Sequence, residues 1–429
     1  MNMKKNLPPT AAATEKGSIW NLVFLLLAII PVVLLFKLVN SHALNIPYND
    51  DWDAILGFLN TWKHADNKME LLFAQHNEHR ILASKLIYVG WYILFHNINI
   101  LSVIYIANLQ LLVIAAILAY FSGKVLDVPY FKGLLVFVIA LCVFDIASYD
   151  NIGFAMAGLQ NYGVVMLFLL SLFFYSLRTK RRIELLPALL FQFICAFSSG
   201  NGFMAGIALL LYTVFSKDRL NMLVCLAGFA IFTACYFLTY HSVSGSVDMK
   251  AKSAGMFLFY FLKLSGSHFN FEYGVAIAVV LYAVLGASLF YQFKQADIDR
   301  ILPFLCLLLF TGMSMAATAL LRSGQAHIFD SESISSRYLI YSQLLAIVVF
   351  VMLVFRFQHH KQSWIAIAIC TLFFIKAYRA NYSYGAEALA ARNNRLSLTD
   401  FVYPDKKHAR EVAAKACKNE IYCIEENRP

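Results

Sequence analysis

The run SIWNLVFLLLAIIPVVLLFKLV, Ser18 to Val39, holds one charged residue, Lys37, in twenty-two. About twenty apolar residues in helical form match the thickness of a bilayer's hydrocarbon core. The basic stretch before it, MNMKKNLPPTAAATEKG, has the look of a secretory leader. The run is too long for a leader's apolar core, however, and no small-x-small cleavage site follows. It reads as an uncleaved first membrane span. Comparable runs recur at roughly 18–39, 99–121, 131–148, 158–177, 184–199, 202–216, 219–240, 272–292, 300–320, 337–356 and 362–378. The fifth and sixth are short, fitting a helical hairpin or a pair of partly inserted segments. Of 429 residues, 60% are hydrophobic and 14% charged, against about a quarter charged in soluble domains. The expected fold is an all-α polytopic membrane protein of about 11 transmembrane helices.

The net charge of +10 is a topology signal rather than a sign of nucleic acid, which the reading excludes as a partner. Lys124, RTKRR (Arg178–Arg182), KDR (Lys217–Arg219), QFKQADIDR and RFQHHK fall in alternate connections. The opposite connections SYDNIGFAMAG and SSGN carry no Lys or Arg. By the positive-inside rule the N-terminus is cytoplasmic, and an odd number of spans places the C-terminus outside. Cys142, Cys195, Cys225, Cys235, Cys306 and Cys370 lie within apolar runs and read as small hydrophobes. Cys417 and Cys423 stand in a polar tail, where an external position allows a disulfide and the alternative is two unrelated thiols.

The first external segment, 40–98, opens with NIPYNDDWD, Asn45 to Asp53. Trp52, Ile55, Leu56, Leu59 and Trp62 then recur at helical spacing. Further on, QHNEHR (Gln75–Arg80) precedes ILASKLIYVGWYILFH, which Ser84, Lys85 and Gly90 interrupt. The segment is expected to form two amphipathic helices on the outer membrane surface. Helix capping accounts for Asp50 and Asp53, leaving Asp51 with a free carboxylate. His76, Glu78, His79 and Arg80 are expected on the second helix with Asn77 as its cap. His76 and His79 there form a divalent-metal ligand pair or, with Arg80, a phosphate-binding group. A solvated turn is the structural alternative.

Three further polar groups occur at the outer ends of spans. SYDNIGFAMAGLQNYG supplies Asp150, Asn151, Gln160 and Asn161, which hydrogen-bond a hydroxyl-rich ligand or join helices. FSSGNGF supplies Ser198, Ser199 and Asn201, with Gly200 and Gly202 permitting a tight reversal. RSGQAHIFDSESISSRYLIYS supplies Arg322, His327, Asp330, Glu332, Arg337 and Tyr338. Arg337 either snorkels or meets a lipid phosphate. Asp145, inside a span, is costly and has no evident partner in the sequence. All five groups are assigned to one side of the membrane, and the cytoplasmic connections lack a Gly-rich nucleotide cradle. A donor for group transfer there must be tethered to lipid.

The layout resembles the GT-C superfamily of integral-membrane glycosyltransferases. NDDWD, QHNEHR, YDNIGFAMAGLQNY, SSGNG and SSRYLIYSQLL are similar to segments of bacterial multi-spanning proteins of that type, and phage-type O-antigen glucosyltransferases have comparable length and topology. The resemblance implies sugar transfer from a polyprenyl-phosphate donor to a glycan or lipid-linked acceptor hydroxyl, with inversion, at the periplasmic face of the bacterial inner membrane. It implies a general base at Asp51, then Asp50, then Asp53, ionised beside a helix N-terminus. It implies phosphate stabilisation by Arg80 and Arg337 with Tyr338. It implies substrate binding by His76, Glu78, His79, Asp150, Asn151, Gln160, Asn161 and Asn201. Metal use varies within the superfamily, so a divalent metal on His76 and His79 is the one cofactor in view. The domains are then a cytoplasmic 1–17, a GT-C-like 18–378 and a small periplasmic tail 379–429, too small for the soluble domain of an oligosaccharyltransferase. The alternative is a transporter or flippase for a lipid-linked glycan, which calls for midplane charges and internal repeats; no repeat is visible.

Overall fold

The computed structural model describes residues 11–177, 182–241, 249–295, 298–324, 334–360, 363–395 and 402–424. His327, Asp330 and Glu332 lie outside the described residues. Among those described, nine helices are long and apolar enough to cross a membrane, the architecture of an all-α polytopic membrane protein. They cover Ile19–His42, Ile100–Val125, Pro129–Gly153, Ala155–Ser176, Arg219–Leu238, Gly274–Phe293, Ile298–Arg322, Ser336–Phe357 and Trp364–Asn394. The short pair of apolar runs forms helices Leu185–Ala196 and Gly202–Phe215, below spanning length.

Local chemistry sets the helix boundaries. Pro31 has no N–H and its ring crowds the carbonyl four residues back; the first span accordingly breaks into helices Ala11–Leu27 and Ile29–His42. Asn99 caps helix Ile100–Val125 by accepting from the Ser102 N–H at 2.9 Å. Packing then sorts the spans. The most apolar windows of Pro129–Gly153 and Ser336–Phe357 are 89% buried, whereas those of Arg219–Leu238 and Gly274–Phe293 are 17% and 22% buried. The first two form the bundle's centre. The second two turn Leu238 and Phe290 outward, as helices do when the surrounding solvent is hydrocarbon.

Polar contacts gather at the two ends. At one, Asp127 pairs with Arg300 at 2.6 Å and His359 at 3.6 Å, while Gln358 accepts from the Asp127 N–H. At the other lies the segment following His42. It is more broken than two surface helices. Trp52–Gly57 is a π-helical turn, followed by Phe58–His64, Lys68–Phe73 and Leu82–Phe95. The Gln75–Arg80 stretch is not helical: Gln75–His76 pairs antiparallel with His79–Arg80 through a turn in which Asn77 has φ 48°. Asn tolerates that left-handed conformation better than most residues. Lys85, the interruption in the last helix, folds back to the carbonyls of Leu71 and Ala74 at 2.8 and 2.6 Å.

The boundary expected at 378 falls inside one continuous helix, Trp364–Arg395. Residues 402–424 return to the first segment. Tyr403 Oη and His408 Nε2 bond the Asp53 carboxylate, and Tyr422 Oη donates to Asn45 O at 2.6 Å. Lys63 Nζ donates to Asn419 O, and the Asn419 amide to Asn60. Cys417 and Cys423 form a disulfide within this segment. Residues 402–424 therefore pack against the first loop.

Candidate functional site

The first loop is fastened to the bundle by Asp51. Its Oδ2 accepts from the Tyr48 N–H at 3.1 Å and its Oδ1 from the Met156 N–H at 2.9 Å. At 1% exposure it is buried rather than free at a helix mouth. Burial pushes its carboxyl up to about 7, against the lowering expected from a helix N-terminus. Asp53 is engaged by Tyr403 and His408, and the ion pair raises the His408 imidazole above its ordinary range. Asp50 differs from both. It is half-buried, its side chain carries no hydrogen bond to any described residue, and its charge is felt at Asp51, His76 and Tyr403.

Arg80 is not available for a ligand. Its Nε and Nη2 donate to Tyr236 O at 3.3 and 3.1 Å, Nη2 also to Thr239 Oγ1 at 2.6 Å, and Nη1 to Phe73 O. The guanidinium also lies over Phe197 and Tyr236. It clamps the Gln75–Arg80 turn to helix Arg219–Leu238. Arg80→Gln would strand buried carbonyls at about 1–3 kcal/mol each. The expected result is a lowered thermal midpoint with unchanged activity per folded molecule, read by unfolding in detergent beside an activity assay.

The remaining polar groups meet across the same end of the bundle. His79 Nδ1 accepts from the Gly200 N–H at 3.2 Å. A Cβ on Gly200 would stand 2.8 Å from that nitrogen, so the close approach requires glycine. Gln160 donates to Ser199 Oγ at 3.3 Å, and Asn201 to Tyr341 Oη and Ser314 Oγ at 2.7 and 2.9 Å. Asn161 donates to Asn151 Oδ1 at 3.0 Å, and Asn151 to Arg337 O at 2.9 Å. The Asp150 N–H donates to Ser336 Oγ at 3.1 Å. Arg337 lies over the Tyr338 ring with its Nε on Ser335 Oγ. Arg322 faces Glu78 at 3.9 Å. Both guanidiniums bear on His79, whose imidazole burial, the larger cause, lowers to about 4. Burial likewise lowers His76. Among the described residues no group of three or more His, Cys, Asp or Glu could hold a metal ion.

Two features were not legible in the sequence. Asp145 has partners: it accepts from the Ala147 N–H and from Asn381 at 3.1 Å, and stands 3.8 Å from His268 Nδ1. Arg392, three turns beyond Asn381 on the same helix, reaches Tyr48 and Gly153. Asn381, Gly385, Leu389 and Arg392 recur at helical spacing, a periodic signal that could have revealed the face.

No family model matches the chain, and neither a curated protein nor a solved structure matches it.

Proposed function

We propose that the chain is a membrane-embedded glycosyltransferase that moves a sugar from a polyprenyl-phosphate donor to an acceptor hydroxyl. The observation that carries this reading is the convergence of five polar groups, far apart in sequence, on one end of an apolar helical bundle. Such a site suits a substrate that arrives through the membrane. Arg322 and Arg337 flank His79 and would offset the charge of the departing phosphate. Asp50 is the preferred base, because Asp51 and Asp53 are committed to hydrogen bonds. In the step, the acceptor hydroxyl gives its proton to Asp50 as its oxygen bonds the anomeric carbon, and the bond to phosphate breaks with its electron pair leaving on phosphate. Asn201, Asn161 and Gln160 offer amide oxygens to hydroxyl groups, the NH2 groups of Asn201 and Asn161 each already donating two bonds. The periplasmic site and N-in orientation belong to this proposal.

A second reading, a transporter of a lipid-linked glycan, is favoured by one observation. Asp145, His268 and Asn381 form a buried polar cluster inside the bundle, the kind of group that couples transport to protons. Purified protein in vesicles separates the two readings. Sugar transfer from polyprenyl-phosphate sugars to added glycan acceptors is expected. Movement of the labelled lipid between leaflets with no transfer to any acceptor would replace the first reading by the second.

A further inference from the structure

Arg392 is 8% exposed, and its Nε and Nη1 are buried without a hydrogen-bond partner. No described carboxylate lies within ion-pair distance, although Asp150 and Asp51 are near enough to be felt. A buried cation whose donors point at nothing is costly, and structures that keep one usually complete it with an anion. The surroundings hold the guanidinium in place. Its Cζ lies 5.1 Å from the centroid of the Tyr48 ring, and its Nη2 rests on Gly153, where a Cβ would come within 1.6 Å. The helix that carries it is pinned one face lower by Asn381, which bonds Asp145 and His268 O, and by Gly385 against Ile146.

We propose that Arg392 binds an acidic group, carboxylate or phosphate ester, on the acceptor. This rests on the transferase reading. In an inverting transfer the base stands on the acceptor side and the leaving group on the opposite face of the reacting carbon. Arg392 neighbours Asp51 and Tyr48, on the loop that carries Asp50. Arg322 and Arg337 instead bear on His79. The guanidinium beside the base is thus the one an acceptor meets, and the acceptor class is an acidic glycan.

Inorganic phosphate and glucuronate serve as probes, with the thermal midpoint of the full-length protein in detergent as readout. Both are expected to raise the midpoint of wild type, and saturating undecaprenyl phosphate is expected to leave that rise intact. Arg392→Gln should weaken the half-maximal probe concentration about tenfold or more, Arg392→Lys less, and Arg322→Ala not at all. Arg392→Lys keeps the charge and serves if Arg392→Gln does not fold. No rise in wild type, or an equal rise in both Arg392 variants, overturns the proposal. Loss of the rise with undecaprenyl phosphate also overturns it, by assigning Arg392 to the donor. Probe binding needs no turnover, so failure of sugar transfer and failure of this site are read separately.

Discussion

Asp50→Asn is expected to lower sugar transfer by about 10²–10⁴-fold while expression and thermal midpoint stay at wild-type values. The two halves of that result come from one property. The Asp50 side chain makes no hydrogen bond to a described residue, so an isosteric amide takes nothing from the fold. The same lack of partners leaves both oxygens ready to take a proton. The assay is transfer from a polyprenyl-phosphate sugar by purified variant, normalised to folded protein. Wild-type turnover in Asp50→Asn would remove it as base and move attention to Asp150, another half-buried acid at the site.

Asp51 predicts the reverse pattern. Its folded pKa, raised by burial to about 7, lies above the ordinary carboxylate value of about 4. The neutral form's contribution is therefore complete below about pH 4 and is lost as pH rises through about 7. The total is about 4 kcal/mol, and with 1% exposure there is little solvent to screen it. Wild type should show a midpoint that falls between pH 5 and pH 8, and Asp51→Asn should lack that fall. Parallel pH profiles for the two proteins would mean that Asp51 does not titrate in this range.

The bundle was legible because hydropathy over about twenty residues is a direct reading of lipid thickness. The polar groups at span ends were legible too, since polar residues there cost too much to be incidental. What the sequence could not give was phase and partner. Asp50, Asp51 and Asp53 are all acids on one turn, and which points inward depends on the Met156 N–H, over a hundred residues away. His-x-x-His spacing suits a helix and a tight two-stranded turn equally, so Gln75–Arg80 was read as helix. Arg80 looked like a phosphate ligand because its carbonyl acceptors, Phe73 and Tyr236, are invisible in a string of letters. Arg392 was missed because polarity ends an apolar window even where the helix continues to Arg395.

The clasp between residues 402–424 and the first loop also fixes an order in time. Asp53 waits for His408, and Asn45 for Tyr422. These partners are made some 350 residues later. At roughly 5–20 residues per second, the loop carrying Asp50 spends tens of seconds of synthesis without them. Until residues 402–424 are made, the spans before them are in place, yet the first loop lacks the contacts that shape it. Shaping of the first loop is thus a late event of synthesis, set by residues made hundreds of positions after it.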